Sequence, residues 1–336
     1  MTPVLTIAIP TFDRPDRLHE AVAAFVPQLT PAVRLLVFDN ASPKPAADAL
    51  ADLLVGLPLG QATVVRNAVN VGANANVARC YERCETDWVW VCGDDDVPRS
   101  GAVATVLADI AAHPAAVFLH YSSDFHTRTA EYITRGLDEF VDRLDSLAGL
   151  TFISAGVLRV AACREAIRPA YQFLYANNTQ TVLLFCSLGD TGECRFRPAQ
   201  LVDADTSGYS RLTVALGFPI LLDLPVLADR HRRRLGPQLR TTFCSFDRLV
   251  SQLVFETARH GDVGSSVYYF DQLYARLYQF EPNPVARLKA RLARPLVRFP
   301  RLGRRLLRAA LRVRYPAAEV DRIEADRGGT ARLERL

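Results

Sequence analysis

No stretch of the 336-residue chain is long and apolar enough to cross a bilayer. The longest candidate, Val214 to Leu222, reaches nine residues before Asp223 interrupts it, against roughly 20 for a spanning helix. The seven cysteines, odd in number and without framework spacing, fit a reducing compartment and suggest neither a disulfide scaffold, a zinc site nor a redox pair. No basic segment precedes the first apolar stretch, so a signal peptide is not expected. Two phosphate-binding signatures are also missing. There is no Gly-rich loop followed by Lys-Ser/Thr, and Pro10-Thr11-Phe12-Asp13 stands after the first apolar run, where a dinucleotide fingerprint would begin. Ordinary phosphate-loop ATP hydrolysis is therefore unsupported.

Acidic residues are absent between Arg287 and Arg314, where eleven basic residues occur. Removing those eleven charges from the overall +4 leaves −7 on the remaining 308 residues, so the basic character belongs to a tail. The rest of the composition, 49% hydrophobic and 23% charged, is that of a globular chain able to bury a sizeable core.

The first 122 residues alternate between strand-like and helix-like segments. Apolar runs at Val4–Ile9, Val33–Phe38, Ala62–Arg66, Trp88–Cys92 and Ala116–His120 are expected as strands. Helices are expected over Arg17–Phe25, Ala46–Leu54, Asn74–Cys84 and Val103–Ile110. Near-continuous apolar strands in a β-α-β rhythm predict an α/β fold, a mostly parallel sheet with helices on both faces. The middle of the chain is harder to read. Glu139–Leu147 and Phe173–Leu188 have helical patterns, as do Phe243–Ala258 and Tyr268–Phe280, while Phe152–Val160 reads as a strand or a buried helix.

Such folds place their chemistry beyond the carboxyl ends of the strands, where Asp39, Asn70 and Asp94 all fall. Trp88-Val89-Trp90-Val91-Cys92-Gly93-Asp94-Asp95-Asp96 is the sharpest local signal. Three successive carboxylates repel one another unless something positive sits among them. A hard divalent cation, Mn²⁺ or Mg²⁺, held by Asp94 and Asp96 suits oxygen donors and can bridge phosphates. A solvated acidic turn is the competing reading. Asp39 either accepts hydrogen bonds from a ribose or base, or organises the Asp39-Asn40-Ala41-Ser42-Pro43 turn. In Asn70-Val71-Gly72-Ala73-Asn74, Gly72 permits close backbone approach and the following helix N-terminus suits an anion, although a plain helix cap accounts for it as well.

Together, residues 7–18 (IAIPTFDRPDRL), 37–42 (VFDNAS), 70–80 (NVGANANVARC) and Asp94–Asp96 resemble, in order and spacing, the family 2 glycosyltransferases of the GT-A fold. The NxGxxxNxxRC form followed by GDDD is most similar to an abequosyltransferase-like bacterial polysaccharide branch. The resemblance implies a metal-dependent transferase that moves a sugar from a nucleotide-diphosphate sugar to a hydroxyl of a lipid-linked or oligosaccharide acceptor. It implies that Pro10 and Thr11 line the nucleotide pocket, that Asp39 meets the base, and that Asn70 and Arg79 lie near the nucleotide. Asp94 would meet the ribose or metal side, Asp95 would belong to the nucleotide-binding set, and Asp96 would hold the metal. Residues 1–122 would then be the nucleotide-sugar half, 123–235 the acceptor half, and 236–336 a helical C-terminal region.

The pattern breaks at the general base. The family often supplies it as a carboxylate some eleven residues before a Gly, but counting back from Gly189 lands on Asn178, and an amide is no base. Asp124, after the fifth expected strand, is one replacement, and Asp190 or Glu193 another. A nucleotidyltransferase on a related fold and a degenerate, non-catalytic scaffold remain as alternatives.

In the tail, Val285, Leu288 and Leu292, then Leu302, Leu306, Ala310 and Leu311, fall opposite arginines at helical spacing. Such helices suit an anionic membrane surface, which would place the enzyme in the cytoplasm at the inner face of a bacterial plasma membrane. Packing on the catalytic domain or on a second subunit in a homodimer is the rival. Nucleic acid is disfavoured because the tail almost lacks aromatic residues for stacking.

Overall fold

The structure is a computed structural model, and it describes residues 2–147, 149–204, 217–243, 253–255, 257–258, 263–278 and 284–325. It divides into two compact units, one of Met1–Leu174 with Asn178–Asp205 and one of Tyr175–Asn177 with Thr206–Leu336. The expected divide at 122/123 falls inside the first unit, because a single sheet runs through both proposed halves. The first unit extends to residue 205.

The first unit is built on strands β1 (Leu5–Thr11), β2 (Val33–Asp39), β3 (Ala62–Arg66), β4 (Trp88–Val91), β5 (Val97–Pro98), β6 (Ala116–Ser122), β7 (Tyr132–Arg135), β8 (Gly156–Arg159), β9 (Glu193–Gln200) and β10 (Val202–Asp203). Eight of them form one sheet in the order β3-β2-β1-β4-β8-β6-β9-β7, while β5 and β10 make a small antiparallel pair. β8 runs antiparallel to both neighbours, and β7 runs antiparallel to β9. The other contacts are parallel.

Helices α1 (Pro15–Phe25), α2 (Ala46–Ala49), α3 (Ala51–Leu54), α4 (Ala73–Glu82), α5 (Ala102–Ala112), α6 (Gly136–Arg143), α7 (Val160–Gln172) and α8 (Thr179–Ser187) connect and cover the strands. The mostly parallel α/β architecture expected from the apolar runs is therefore present. Leu5, Ile7, Ala8 and Ile9 of β1 and all four residues of β4 are buried, as expected for central strands covered on both faces. The Phe25 and Trp90 rings meet edge to face at 5.5 Å, which locks α1 onto this core.

The middle region differs from its sequence reading. Phe152–Val160 contains a short 3₁₀ turn and then β8, and α7 begins at Val160. The helix expected over Phe173–Leu188 begins as α8 only at Thr179, after a 3₁₀ turn over Leu174–Ala176 and Asn177, whose φ is 52°.

The second unit holds α9 (Asp229–Phe243), α10 (Val263–Leu273) with a π turn at Tyr274–Tyr278, α11 (Pro284–Arg298), α12 (Pro300–Arg314) and α13 (Ala317–Ala325). Most of the helix expected over Phe243–Ala258 lies outside the described residues, as does the end of Tyr268–Phe280. In the tail, Ala293, Val297 and Leu311 are buried, whereas Leu288, Leu292, Leu302 and Leu306 are exposed.

Candidate functional site

Parallel pairing of β1 with β2 and β4 brings Thr11, Asp39 and the turn after Val91 to one edge of the sheet. Thr11 Oγ1 donates to Asp94 Oδ2 at 2.7 Å. Arg14, at the N-cap of α1, reaches the same cluster and donates to Asp94 Oδ1 at 3.2 Å and to Asp95 Oδ2 at 2.7 Å. Its guanidinium supplies positive charge among these carboxylates. Asp95 is thereby turned to Arg14.

Asp96 is different. Its carboxylate is buried and accepts from the Ser154 hydroxyl, which itself accepts from Gly93 N at 2.8 Å. Trp90 Nε1 donates to the Ser154 carbonyl at 2.8 Å, fixing that loop against β4. Among the described residues Asp96 makes no ion pair. Burial pushes its pKa up to about 7, helped by the negative charge of Asp95 and Asp94 and opposed by the Ser154 and Gly93 hydrogen bonds. Asp94 is also raised by burial, against the pull of Thr11 and Arg14.

Two buried oxygen donors of raised pKa, one without a cationic partner, suit a hard divalent cation. No group of three or more His, Cys, Asp or Glu able to hold a metal is found among the described residues. Asp94 and Asp96 would supply at most part of a coordination shell.

Asp39 is engaged within its own turn. Fully buried, it accepts from Ser42 N at 2.8 Å and Ala46 N at 3.1 Å, and also from the Ser42 hydroxyl and Arg66. Burial pushes its pKa up, but these donors outweigh it and hold the pKa below the usual value. These donors occupy the carboxylate's lone-pair directions, so Asp39 organises its own turn, one of the two roles expected of it.

Beside it runs an amide network that the sequence reading missed. Asn40 Nδ2 donates to Asn70 Oδ1 at 2.8 Å, and Asn67 Nδ2 donates to Asn40 Oδ1 at 3.0 Å and to Asn76 Oδ1 at 2.9 Å. Asn76 Nδ2 donates to the Phe38 carbonyl at 2.9 Å, and Arg79 donates to Asn67 Oδ1 at 2.5 Å. Arg79 is thus a brace for the strand ends. Asn70 holds its loop through Gly72 N at 2.8 Å, and Gly72, at φ 85°, has the positive φ that favours glycine at the N-cap of α4. Pro10 lies in β1 next to Thr11, half-buried.

Asp124 stands just past the carboxyl end of β6, on the same edge of the sheet, and is exposed. It accepts from Gln200 Nε2 at 3.0 Å and Ala204 N at 2.9 Å. Asp190 does not share that edge. It lies in the α8–β9 turn at the amino ends of β6 and β9, where Ala116 pairs with Glu193. Glu193, at the same end, is paired with Arg195 and Arg135. Parallel pairing of β9 with β6 therefore separates Asp190 and Glu193 from Asp94 by the length of the sheet. Asn178 is the N-cap of α8, buried, and accepts from Thr181. Thr179 Oγ1 donates to the Asn74 carbonyl at 3.2 Å, so α8 starts beside α4 without a carboxylate.

Residues 6–160 match the family model "Glycosyl transferase family 2". Among solved structures, residues 1–349 of S. aureus TarS superpose with a TM-score of 0.54 at 12% identity, covering 89% of this chain and 91% of that one. The same fragment in complex with UDP-GlcNAc gives 0.56 at 13% identity, covering 89% and 87%. The longer TarS chain is covered over 52% of its length. At these identities the likeness shows a shared GT-A-like fold. Comparison with curated proteins yields no match. The match to the family 2 model, which spans a little under half of the chain, supports glycosyltransferase activity.

Proposed function

We propose that the enzyme transfers a sugar from a nucleotide-diphosphate donor, bound at the carboxyl edge of β1, β2 and β4, to a hydroxyl of a glycan acceptor. The supporting observation is the Thr11–Asp94–Arg14–Asp95 cluster beside the buried Asp96, which makes no ion pair among the described residues. The order of the sequence motifs favours a bacterial surface-polysaccharide enzyme of the abequosyltransferase-like branch with a lipid-linked acceptor. UDP-GlcNAc in the TarS complex makes UDP the first nucleotide to test.

Arg14 is half-exposed and already held on Asp94 and Asp95, so it can offer remaining guanidinium donors to a diphosphate. Asp94 and Asp96 would hold Mn²⁺ or Mg²⁺, which would neutralise charge developing on the leaving nucleoside diphosphate. Pro10 and Thr11 line the approach, and the Asn40–Asn67–Asn70 network with Arg79 keeps the neighbouring loops in register. In an inverting transfer, Asp124 would take the proton from the acceptor hydroxyl as its oxygen bonds to the anomeric carbon and the bond to the diphosphate oxygen breaks. Asp190 is not part of this proposal.

Calorimetric titration of UDP, GDP, CDP and dTDP, each with and without Mn²⁺, tests the donor site. One diphosphate should bind in a metal-dependent manner, and Asp96→Ala should remove that dependence. Unchanged Mn²⁺-dependent binding in the variant would eliminate Asp96 as a ligand. For the base, Asp124→Asn should lower transfer by about 10²-fold or more while leaving donor affinity unchanged. Full transfer by that variant would remove Asp124 from the mechanism.

A further inference from the structure

Helices α11 and α12 keep an apolar side uncovered. Leu288, Leu292, Phe299, Leu302, Leu306 and Val313 are all more than half exposed, although together they could build a core. Within α11, Leu288 and Leu292 are four residues apart, and within α12, Leu302, Leu306 and Val313 are four and seven apart, spacings that place them on one side of each helix. Phe299 stands at the break between the two helices. The opposite side is occupied, since Ala293, Val297 and Leu311 are buried within this unit. Exposed arginines border the stripe, among them Arg291, Arg298, Arg301, Arg305 and Arg312.

A second observation lies on α11. A cavity of about 810 Å³ is lined by Phe270, Asp271, Tyr274, Arg287, Leu288, Arg291 and Arg294. Arg294 is paired with Asp271 at 2.7 Å. Arg287 and Arg291, one helical turn apart, make no ion pair among the described residues. Guanidinium groups gathered beside aromatic and aliphatic walls suit a phosphate that carries an apolar body.

We infer that α11 and α12 are a docking surface for an anionic phospholipid bilayer. The exposed leucines and Phe299 enter the acyl boundary, and Arg287 and Arg291 take a headgroup phosphate in the cavity. Charge complementarity selects this occupant. A second copy packed along the same stripe would set eleven basic residues against eleven with no acid between Arg287 and Arg314 to pair them. Nucleic acid would use the arginines and leave the leucines in water. The inference stands apart from the donor site, because its readout requires no transfer.

The test is co-sedimentation of the full-length chain with phosphatidylcholine vesicles and with vesicles enriched in phosphatidylglycerol. The partition coefficient should rise at least about tenfold with the anionic lipid and fall back toward the neutral value in Leu302→Ser/Leu306→Ser. Arg287→Gln/Arg291→Gln should lose the preference for anionic lipid independently of the leucine variant. Equal, weak binding to both vesicle types would overturn the docking surface. So would anionic-lipid binding that survives the leucine substitutions, because the contact would then be adsorption of a polycation. A lipid-independent oligomer, seen by light scattering and lost in the leucine variant, would overturn it in favour of a second copy. Donor binding measured on the same preparations keeps failure here distinct from failure of the transferase reading.

Discussion

At the scale of single residues, the site edge is held by buried polar groups with few spare partners. Asn76 shows the cost. Its amide donates to the Phe38 carbonyl and accepts from Asn67, which in turn is held by Arg79. Asn76→Ala removes the side-chain donor to the buried Phe38 carbonyl and takes the acceptor from one of the two Asn67 amide hydrogens, each loss worth about 1 kcal/mol. Urea denaturation should therefore show a loss of about 2 kcal/mol or more, whereas a loss below about 0.5 kcal/mol would mean that water or a neighbour replaces the amide. Asp39 teaches the same lesson from the other side. An aspartate at a strand end is legible as a site candidate, but whether it faces a ligand depends on which donors reach it first. Here its own turn and Arg66 do.

At the scale of elements, the register between α6, α8 and β9 rests on one close approach. Gly136, at φ 68°, begins α6, and a Cβ there would lie 2.3 Å from the Asp190 carbonyl oxygen. Gly56 has φ 88° and nothing within 4 Å of the same position. Both substitutions to Ala carry the cost of a left-handed backbone, about 1 kcal/mol, and only Gly136→Ala adds a backbone clash. Thermal denaturation should place Gly136→Ala several degrees below Gly56→Ala, and equal melting temperatures would show that the α8–β9 turn yields freely. The same turn carries Asp190, which explains why a residue close in sequence to the expected base position ends at the wrong edge of the sheet.

At the scale of the whole molecule, stability should decline on the acid side, and a buried histidine contributes. His120 lies in β6, accepts from Arg128 at Nδ1 (2.9 Å), and donates from Nε2 to the Gly149 carbonyl (3.2 Å). Burial, reinforced by Arg128, lowers its pKa to about 3. The unfolded chain therefore takes up a proton near pH 6.5 that the folded chain refuses. The stabilisation is fully present above about pH 6.5 and is lost as pH falls toward 3, by up to about 1.4 kcal/mol per unit. Asp145 acts in the same direction at lower pH. Burial raises its pKa, but Arg128 and His126 outweigh that and hold it at about 2, so its contribution is lost between about pH 4 and 2. His120→Asn should flatten the dependence of unfolding free energy on pH between 6 and 4. An unchanged slope would place the titration elsewhere.

The parallel core was legible in the order of residues alone, because short, near-continuous apolar runs at 5–11, 33–39 and 88–91 alternate with helical patterns, as strands covered on both faces do. The sequence also placed Thr11, Asp39 and Asp94 at strand ends and marked the basic, amphipathic tail, since both are matters of order and period along the chain. The tertiary structure decided what those residues touch. Arg14 reaches Asp94 and Asp95 across 80 and 81 positions, Ser154 reaches Asp96 across 58, and the pairing of β9 with β6 sends Asp190 to the far edge. It also decided which side of each tail helix is buried, choosing Ala293, Val297 and Leu311 and leaving Leu302 and Leu306 in the open. Periodicity can establish that a helix has an apolar face. Which part of that face is covered depends on neighbours that only folding brings into contact.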